Sequence, residues 1–147
     1  MPVAEILRLE GVRKTFGGVV ALKEVSMAIA PGEVWHLLGE NGSGKSTLIK
    51  IISGVLAPDA GRIWLGGQEF AALDPYTSMR LGVATTFQDL SLFPNLSVLE
   101  NVTLGYELLR QQSRLLRRVD WRHVMPLAVN ALERVGARTD RAFLNTP

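Results

Sequence analysis

The spacing of hydrophobic positions changes along the chain, and each change predicts a different element. Ile6, Leu7 and Leu9 lead into a break at Gly11, followed by Val12 and Phe16, so strand is expected on either side of that glycine. Gly17-Gly18 predicts a reversal, and residues 19–29, rich in Val, Ala and Ile, a further strand. Pro31-Gly32 suits a turn whose second central residue needs φ > 0. Val34, Trp35, His36, Leu37 and Leu38 then form a short apolar run without alternation. Such a run predicts a strand buried on both faces, as in a parallel sheet. Residues 83–88 read as a second buried strand.

Leu48, Ile51 and Ile52 carry helical spacing in a segment that opens directly out of a glycine-rich loop, and Gly54 is placed to stop it. Pro58-Asp59-Ala60-Gly61 predicts a turn, residues 62–65 a strand, and Gly66-Gly67 another reversal. Asp74 followed by Pro75 makes an N-cap and first-turn pair for a short helix that Gly82 ends. From Leu90 onward the character becomes helical. Ser97-Val98-Leu99-Glu100 is a capping box that starts one helix. Asp120 could cap another, with Trp121, Val124, Met125, Ala128, Ala131, Leu132 and Val135 on one stripe. Pro126 lies inside that stripe, so the helix is expected to kink there or to start later.

Composition narrows the picture by exclusion. With 147 residues, 47% of them hydrophobic and 20% charged, the chain is the size of one folded domain and is neither disordered nor fibrous. Sixteen Lys and Arg against fourteen Asp and Glu leave +2, which makes no nucleic-acid footprint, and no nucleic-acid partner is expected. Eight of the twelve arginines fall between Arg110 and Arg141, read as a solvated helical face before a site for an anionic partner. The absence of cysteine excludes a disulfide framework, a thiolate nucleophile and a Cys-built zinc site. Glu5, Arg8 and Glu10 interrupt the N-terminus where a signal peptide would need apolar residues. Apolar windows such as residues 48–57, which include Lys50, fall short of the ~18 residues of a membrane span. A connection to a membrane is therefore expected to come through a partner. Of the two histidines, His36 is expected as a hydrogen-bonded core residue and His123 as solvated, so neither is a catalytic candidate.

The chemistry concentrates in Gly39-Glu40-Asn41-Gly42-Ser43-Gly44-Lys45-Ser46, which fits G-x-x-x-x-G-K-[ST] once, between a predicted strand and a predicted helix. A phosphate chain is multiply charged and strongly hydrated. A loop that replaces that water with backbone N–H donors needs glycines, because a Cβ would block close approach. The helix opening near Lys45 aims its unsatisfied N–H groups at the same anion. Lys45 is expected to reach the β- and γ-phosphates, and the Ser46 hydroxyl to bind Mg²⁺. This is a nucleotide site. By itself the loop fixes ligand class, not function, since many kinds of enzyme carry it.

Three blocks in order decide between them. GVRKTFGGVVALKEVSMAIAPGEV, GENGSGKSTLIKIISGVLAPDAGRIWLGG and GVATTFQDLSLFPNLSVLENV together closely resemble the N-terminal part of an ATP-binding cassette (ABC) ATPase, particularly those of sugar importers. The resemblance implies an α/β fold: a partial P-loop NTPase core with an N-terminal antiparallel β subdomain and the start of a helical subdomain. It divides the chain into residues 1–90, the nucleotide-binding core, and residues 91–147, the beginning of the helical part. It places Phe16 where the family stacks an aromatic on adenine; taken alone, Phe16 could as well be a core aromatic. It extends the nucleotide-binding positions from the loop to Thr47. It places Gln88 where the family's glutamine touches Mg²⁺ and the attacking water, which makes Lys45 and Gln88 the catalytic expectations and Ser46 and Gln88 the metal ligands. Residues 89–100 would then face a membrane partner, with Leu92, Phe93 and Leu96 as contact surface or as anchors of the loop itself.

What the resemblance implies for function is an ATPase subunit, using ATP and Mg²⁺, that energises solute import, most specifically of a carbohydrate. Its partners would be transmembrane permease subunits, a second ATP-binding cassette in a dimer or in tandem, and indirectly a periplasmic or extracellular solute-binding protein. Its place would be peripheral, at the cytoplasmic face of the cell membrane. An LSGGQ-type signature, an apolar strand ending in Asp-Glu and a switch histidine do not occur in this sequence. The chain is thus expected to be an N-terminal fragment that binds MgATP and hydrolyses it negligibly. A soluble cassette ATPase acting on nucleic acid or ribosomes, or a small-molecule kinase, are the competing classes. The first would favour strong basic stripes, and the second would need neither Phe16 nor the Gln88 block.

Overall fold

The computed structural model describes residues 5–86, 92–110 and 121–146. They form two compact units, residues 1–85 and 86–147.

The first unit is built on a four-stranded sheet of order β2-β1-β3-β4, antiparallel throughout. Strand β1 (Leu7–Phe16) turns at Gly17-Gly18 into β2 (Val19–Ile29). Both glycines hold positive φ, 51° and 88°, which suits the two-residue turn whose twist matches that of the strands. Strand β3 (Ala60–Leu65) pairs with β1 on its other side and turns at Gly66-Gly67 into β4 (Gln68–Phe70). The core faces one side: Leu7, Leu9, Val12, Leu22, Ile63 and Leu65 are buried, and α1 (Lys45–Ile52) lays Leu48 and Ile51 onto the same cluster. On the opposite face Arg8 stacks over the Trp64 ring, 4.0 Å from its centroid. Helix α2 (Pro75–Arg80) starts at Asp74, whose carboxylate accepts from the Thr77 N–H at 3.0 Å. Its Ser78 hydroxyl donates to the Ile52 carbonyl, tying α2 to the end of α1.

Three sequence expectations for this unit need correction. Gly11 does not break β1; it sits inside it with φ 58° as a bulge, its N–H donating to Ser26 Oγ, and the pairing register shifts there on both sides. Residues 33–40 contain no strand. Val34 is 82% exposed and Leu38 91%, and His36 is exposed too, with no hydrogen bond among the described residues, instead of lying in a core. Likewise residues 83–86 are not strand, and the remainder of the 83–88 expectation lies outside the described residues. The physical reason is shared. A parallel strand has no local hydrogen-bond partner, and the four strands present among the described residues pair only with one another.

The second unit holds α3 (Val98–Arg110), α4 (Trp121–Arg134) and α5 (Arg141–Leu144). The capping box forms as expected: the Ser97 N–H donates to Glu100 Oε2 at 2.8 Å, and the Glu100 N–H donates back to Ser97 Oγ at 3.3 Å. Leu99, Ala128 and Leu144 are its buried core, with Val129 and Leu132 packed beside them. α4 runs through Pro126 and does not start after it; Pro126 lies in the second turn, where it has no N–H to give the Arg122 carbonyl. The buried stripe of α4 is narrower than its apolar pattern: Val124 and Ala128 are buried, whereas Trp121, Met125 and Val135 are exposed. The proposed cap Asp120 lies outside the described residues.

Candidate functional site

The glycine-rich loop ends where α1 begins, and the junction is shaped by Gly44. This residue occupies the N-cap of α1 with φ 89° and ψ 0°, and no side chain caps the helix. Its α-hydrogen faces β2 closely: a Cβ here would stand 2.4 Å from the Ala21 carbonyl oxygen and 2.8 Å from Leu22 Cδ2. A residue at the N-cap normally turns a side-chain oxygen onto the first amides. Glycine supplies none, so the first-turn N–H groups are left for an anion.

Lys45 opens the helix, and its ammonium folds over the loop. Nζ donates to the carbonyls of Gly39 at 2.6 Å and Glu40 at 2.7 Å, and to Ser43 Oγ at 3.2 Å. These contacts, with the Ser43 N–H donating to the Glu40 carbonyl, gather the loop around one cation. The Ser46 hydroxyl, one position on, makes no hydrogen bond among the described residues.

A cavity of about 200 Å³ opens over this junction, lined by Asn41, Gly42, Ser43, Gly44, Lys45, Ser46 and Thr47 of the loop and helix, and by Phe16 and Ala21 of the β1–β2 hairpin. The structure therefore brings Phe16, the last residue of β1, to the same hollow as the loop that follows it by more than twenty residues. Its ring is half exposed. Gly39 and Glu40 do not line the cavity; they contribute the carbonyls that hold Lys45. Gln88 lies outside the described residues.

The hairpin end that carries Phe16 is held from a distance. Asp59, just ahead of β3, accepts from Lys14 Nζ through Oδ1 at 2.7 Å and from the Thr15 N–H through Oδ2 at 2.7 Å, while its own N–H donates to the Arg13 carbonyl at 2.8 Å. The Lys14 hydrogen bond, then that of Thr15, holds the Asp59 carboxyl below the usual carboxylate range. Lys14 Nζ also stands over the Phe16 ring, 5.6 Å from its centroid. Sequence reasoning missed both Ala21 and Asp59. Neither carries a local signal for the site: Ala21 comes to the cavity through the pairing of β2 with β1, and Asp59 touches the end of β1 through its own hydrogen bonds.

Among the described residues no group of three or more His, Cys, Asp or Glu side chains could hold a metal, and no helix is long and apolar enough to cross a membrane.

Comparison with known proteins fits this geometry. The ABC transporter family matches residues 22–142. A ribose import ATP-binding protein of Streptomyces coelicolor is 50% identical over 132 residues, and one of Rhizobium johnstonii 45% identical over 132 residues. Each alignment covers 90% of this chain and 25% of the relative, so the chain spans about a quarter of the length of the curated relatives it matches. The solved ADP conformation of an ATP-binding cassette of an ABC transporter superposes with a TM-score of 0.73 at 28% identity, over 97% of this chain and 57% of that one. The antiparallel sheet, the phosphate-type loop and the helices are thus the N-terminal part of an α/β cassette fold.

Proposed function

Because the chain belongs to the ABC transporter family, we propose that it is the nucleotide-binding part of an ATPase that energises import of a carbohydrate. One observation carries the reading furthest: an aromatic face, an uncapped helix start, a lysine and a free serine hydroxyl line one cavity. That set matches the parts of a nucleoside triphosphate in order.

In this reading Phe16 stacks on the base, and the amides of residues 42–47 cradle the phosphates. Lys45 exchanges its bonds to the Gly39 and Glu40 carbonyls for phosphate oxygens, so a loop already closed around the ammonium closes around the anion instead. The donor set fits Mg²⁺ as well: Ser46 offers an uncommitted hydroxyl beside that anion. Bound there with Gln88 as a second ligand, the metal would supply charge neutralisation to the leaving phosphate. Residues 1–90 would act as the nucleotide-binding core and residues 91–147 as the start of the helical part that meets permease subunits.

Lys45 and Gln88 cover only part of what hydrolysis requires. Developing charge on the transferred phosphoryl needs further donors, and the attacking water needs a positioned carboxylate. The 147-residue chain therefore binds MgATP and turns it over negligibly, and the longer protein hydrolyses it with a second cassette, at the cytoplasmic face of the membrane. The carbohydrate comes from the names of the relatives, both of which are ribose import proteins. Uptake of labelled ribose and other monosaccharides by cells carrying the intact gene tests it. Uptake that falls to background with Lys45→Ala supports the reading; monosaccharide uptake that is unchanged would overturn it.

A further inference from the structure

Asp59, which the sequence offers only as part of a turn ahead of β3, makes three hydrogen bonds to three consecutive residues of β1. It takes the Lys14 ammonium and the Thr15 N–H on its two carboxylate oxygens and gives its own N–H to Arg13. The next residue is Phe16. The strand thus ends on a fixed point immediately before the side chain that reaches the cavity, and that point is supplied by a residue that follows the phosphate loop and α1 in the chain. Lys14 is fixed with it. Its side chain is only 14% exposed, and its ammonium is shared between the Asp59 carboxylate and the face of the Phe16 ring. A cation held over one face of an aromatic ring restrains the ring's orientation.

We infer that Asp59, through Lys14 and Thr15, is the positioning residue that sets the Phe16 ring for the nucleotide base, so that it governs affinity for the base and not for the phosphates. The inference rests on the nucleotide reading above. Its physical content is separation: the amides and Lys45 that take phosphate are held by the loop's own contacts, and none of those contacts involves Asp59. Loss of the clamp frees the end of β1 and leaves the loop as it is. The ring then has to be ordered when the base arrives, at the expense of affinity.

The test compares two probes on the same chain, ATP and inorganic tripolyphosphate, titrated calorimetrically at fixed Mg²⁺. Asp59→Asn is expected to weaken ATP about fivefold, a fraction of what base stacking on an aromatic is worth, and to leave tripolyphosphate within about twofold. In a Phe16→Ala background the same substitution should change neither probe, because the residue it acts through is gone. A purely structural role gives a different pattern: equal losses for both probes, or the same loss of ATP with and without Phe16, and either overturns the inference. Lys14→Met keeps the Thr15 contact and answers the question should Asp59→Asn fold poorly. It too should weaken ATP selectively, and unaltered ATP affinity in folded Lys14→Met would count against the clamp. If the unmodified chain binds neither probe, the nucleotide reading fails and the inference with it. If Phe16→Ala weakens ATP while neither Asp59→Asn nor Lys14→Met does, the nucleotide reading survives and the inference alone falls.

Discussion

Gly44 shows how much one missing methyl group decides. Its φ of 89° is a conformation that side-chain-bearing residues adopt only with strain, and its close approach to the Ala21 carbonyl leaves no room for a Cβ. Gly42 shares the backbone conformation, with φ 86°, but has nothing within 4 Å of a Cβ position. The pair separates strain from contact. Gly42→Ala should destabilise the chain by about 1 kcal/mol, from backbone strain alone. Gly44→Ala should cost about 2–3 kcal/mol, since a backbone oxygen must also give way. Denaturant unfolding of both variants measures the difference, and equal midpoints would mean that the hairpin does not press on the loop as described. The glycines of the loop were legible in the sequence, because the phosphate motif is local and names them. The neighbour that makes Gly44 irreplaceable was not, because Ala21 arrives by the folding of β2 across α1.

Among the elements, the starts of α2, α3 and α5 share one electrostatic device. Asp74 caps α2 and Asp140 caps α5, while Glu100 closes the box at the start of α3. All three carboxyls are held below their ordinary range: Asp74 first by the Thr77 side chain, Glu100 by the Ser97 N–H, and Asp140 by the Phe143 N–H. Asp59 on Lys14 and Glu33 on the Ala30 N–H behave alike. A carboxyl whose folded pKa lies below its unfolded value of about 4 stabilises the fold fully above that value, and the stabilisation disappears as pH falls through the folded pKa. The thermal midpoint should therefore hold level from neutral pH down to about 5 and fall continuously below about 4. A midpoint that is flat or rises on acidification below pH 4 would contradict this account of the caps.

The starts of α2 and α3 were readable because the cap lies within three residues of what it caps; that of α5, at Asp140, was not read although it is equally local. Asp74-Pro75 and Ser97 with Glu100 needed no knowledge of the rest of the chain, and the Gly-Gly reversals of the sheet were equally local. β4 escaped notice because three residues, two of them polar, carry no pattern; the hairpin at Gly66-Gly67 makes it a strand. The apolar run at 34–38 failed in the opposite direction. Its residues have the composition of a buried strand, but burial and pairing belong to neighbours that no local signal contains.

At the scale of the two compact units, the described residues of the first bury nine hydrophobic side chains in one cluster, most of them from the sheet and α1, and those of the second bury three. Every described residue that lines the cavity belongs to the first unit, between Phe16 and Thr47. The core of the first unit thus includes Leu48 and Ile51, which come from the helix whose first turn lines the cavity. Nucleotide binding should accordingly be a property of these 147 residues by themselves. Calorimetric titration of the 147-residue chain with MgATP, beside its Lys45→Ala variant, tests that claim most directly. The account predicts saturable one-to-one binding that Lys45→Ala weakens by about tenfold to a hundredfold, the worth of a hydrogen bond to a charged group. A folded chain that takes up no MgATP, or binds it equally well without the lysine, would contradict it.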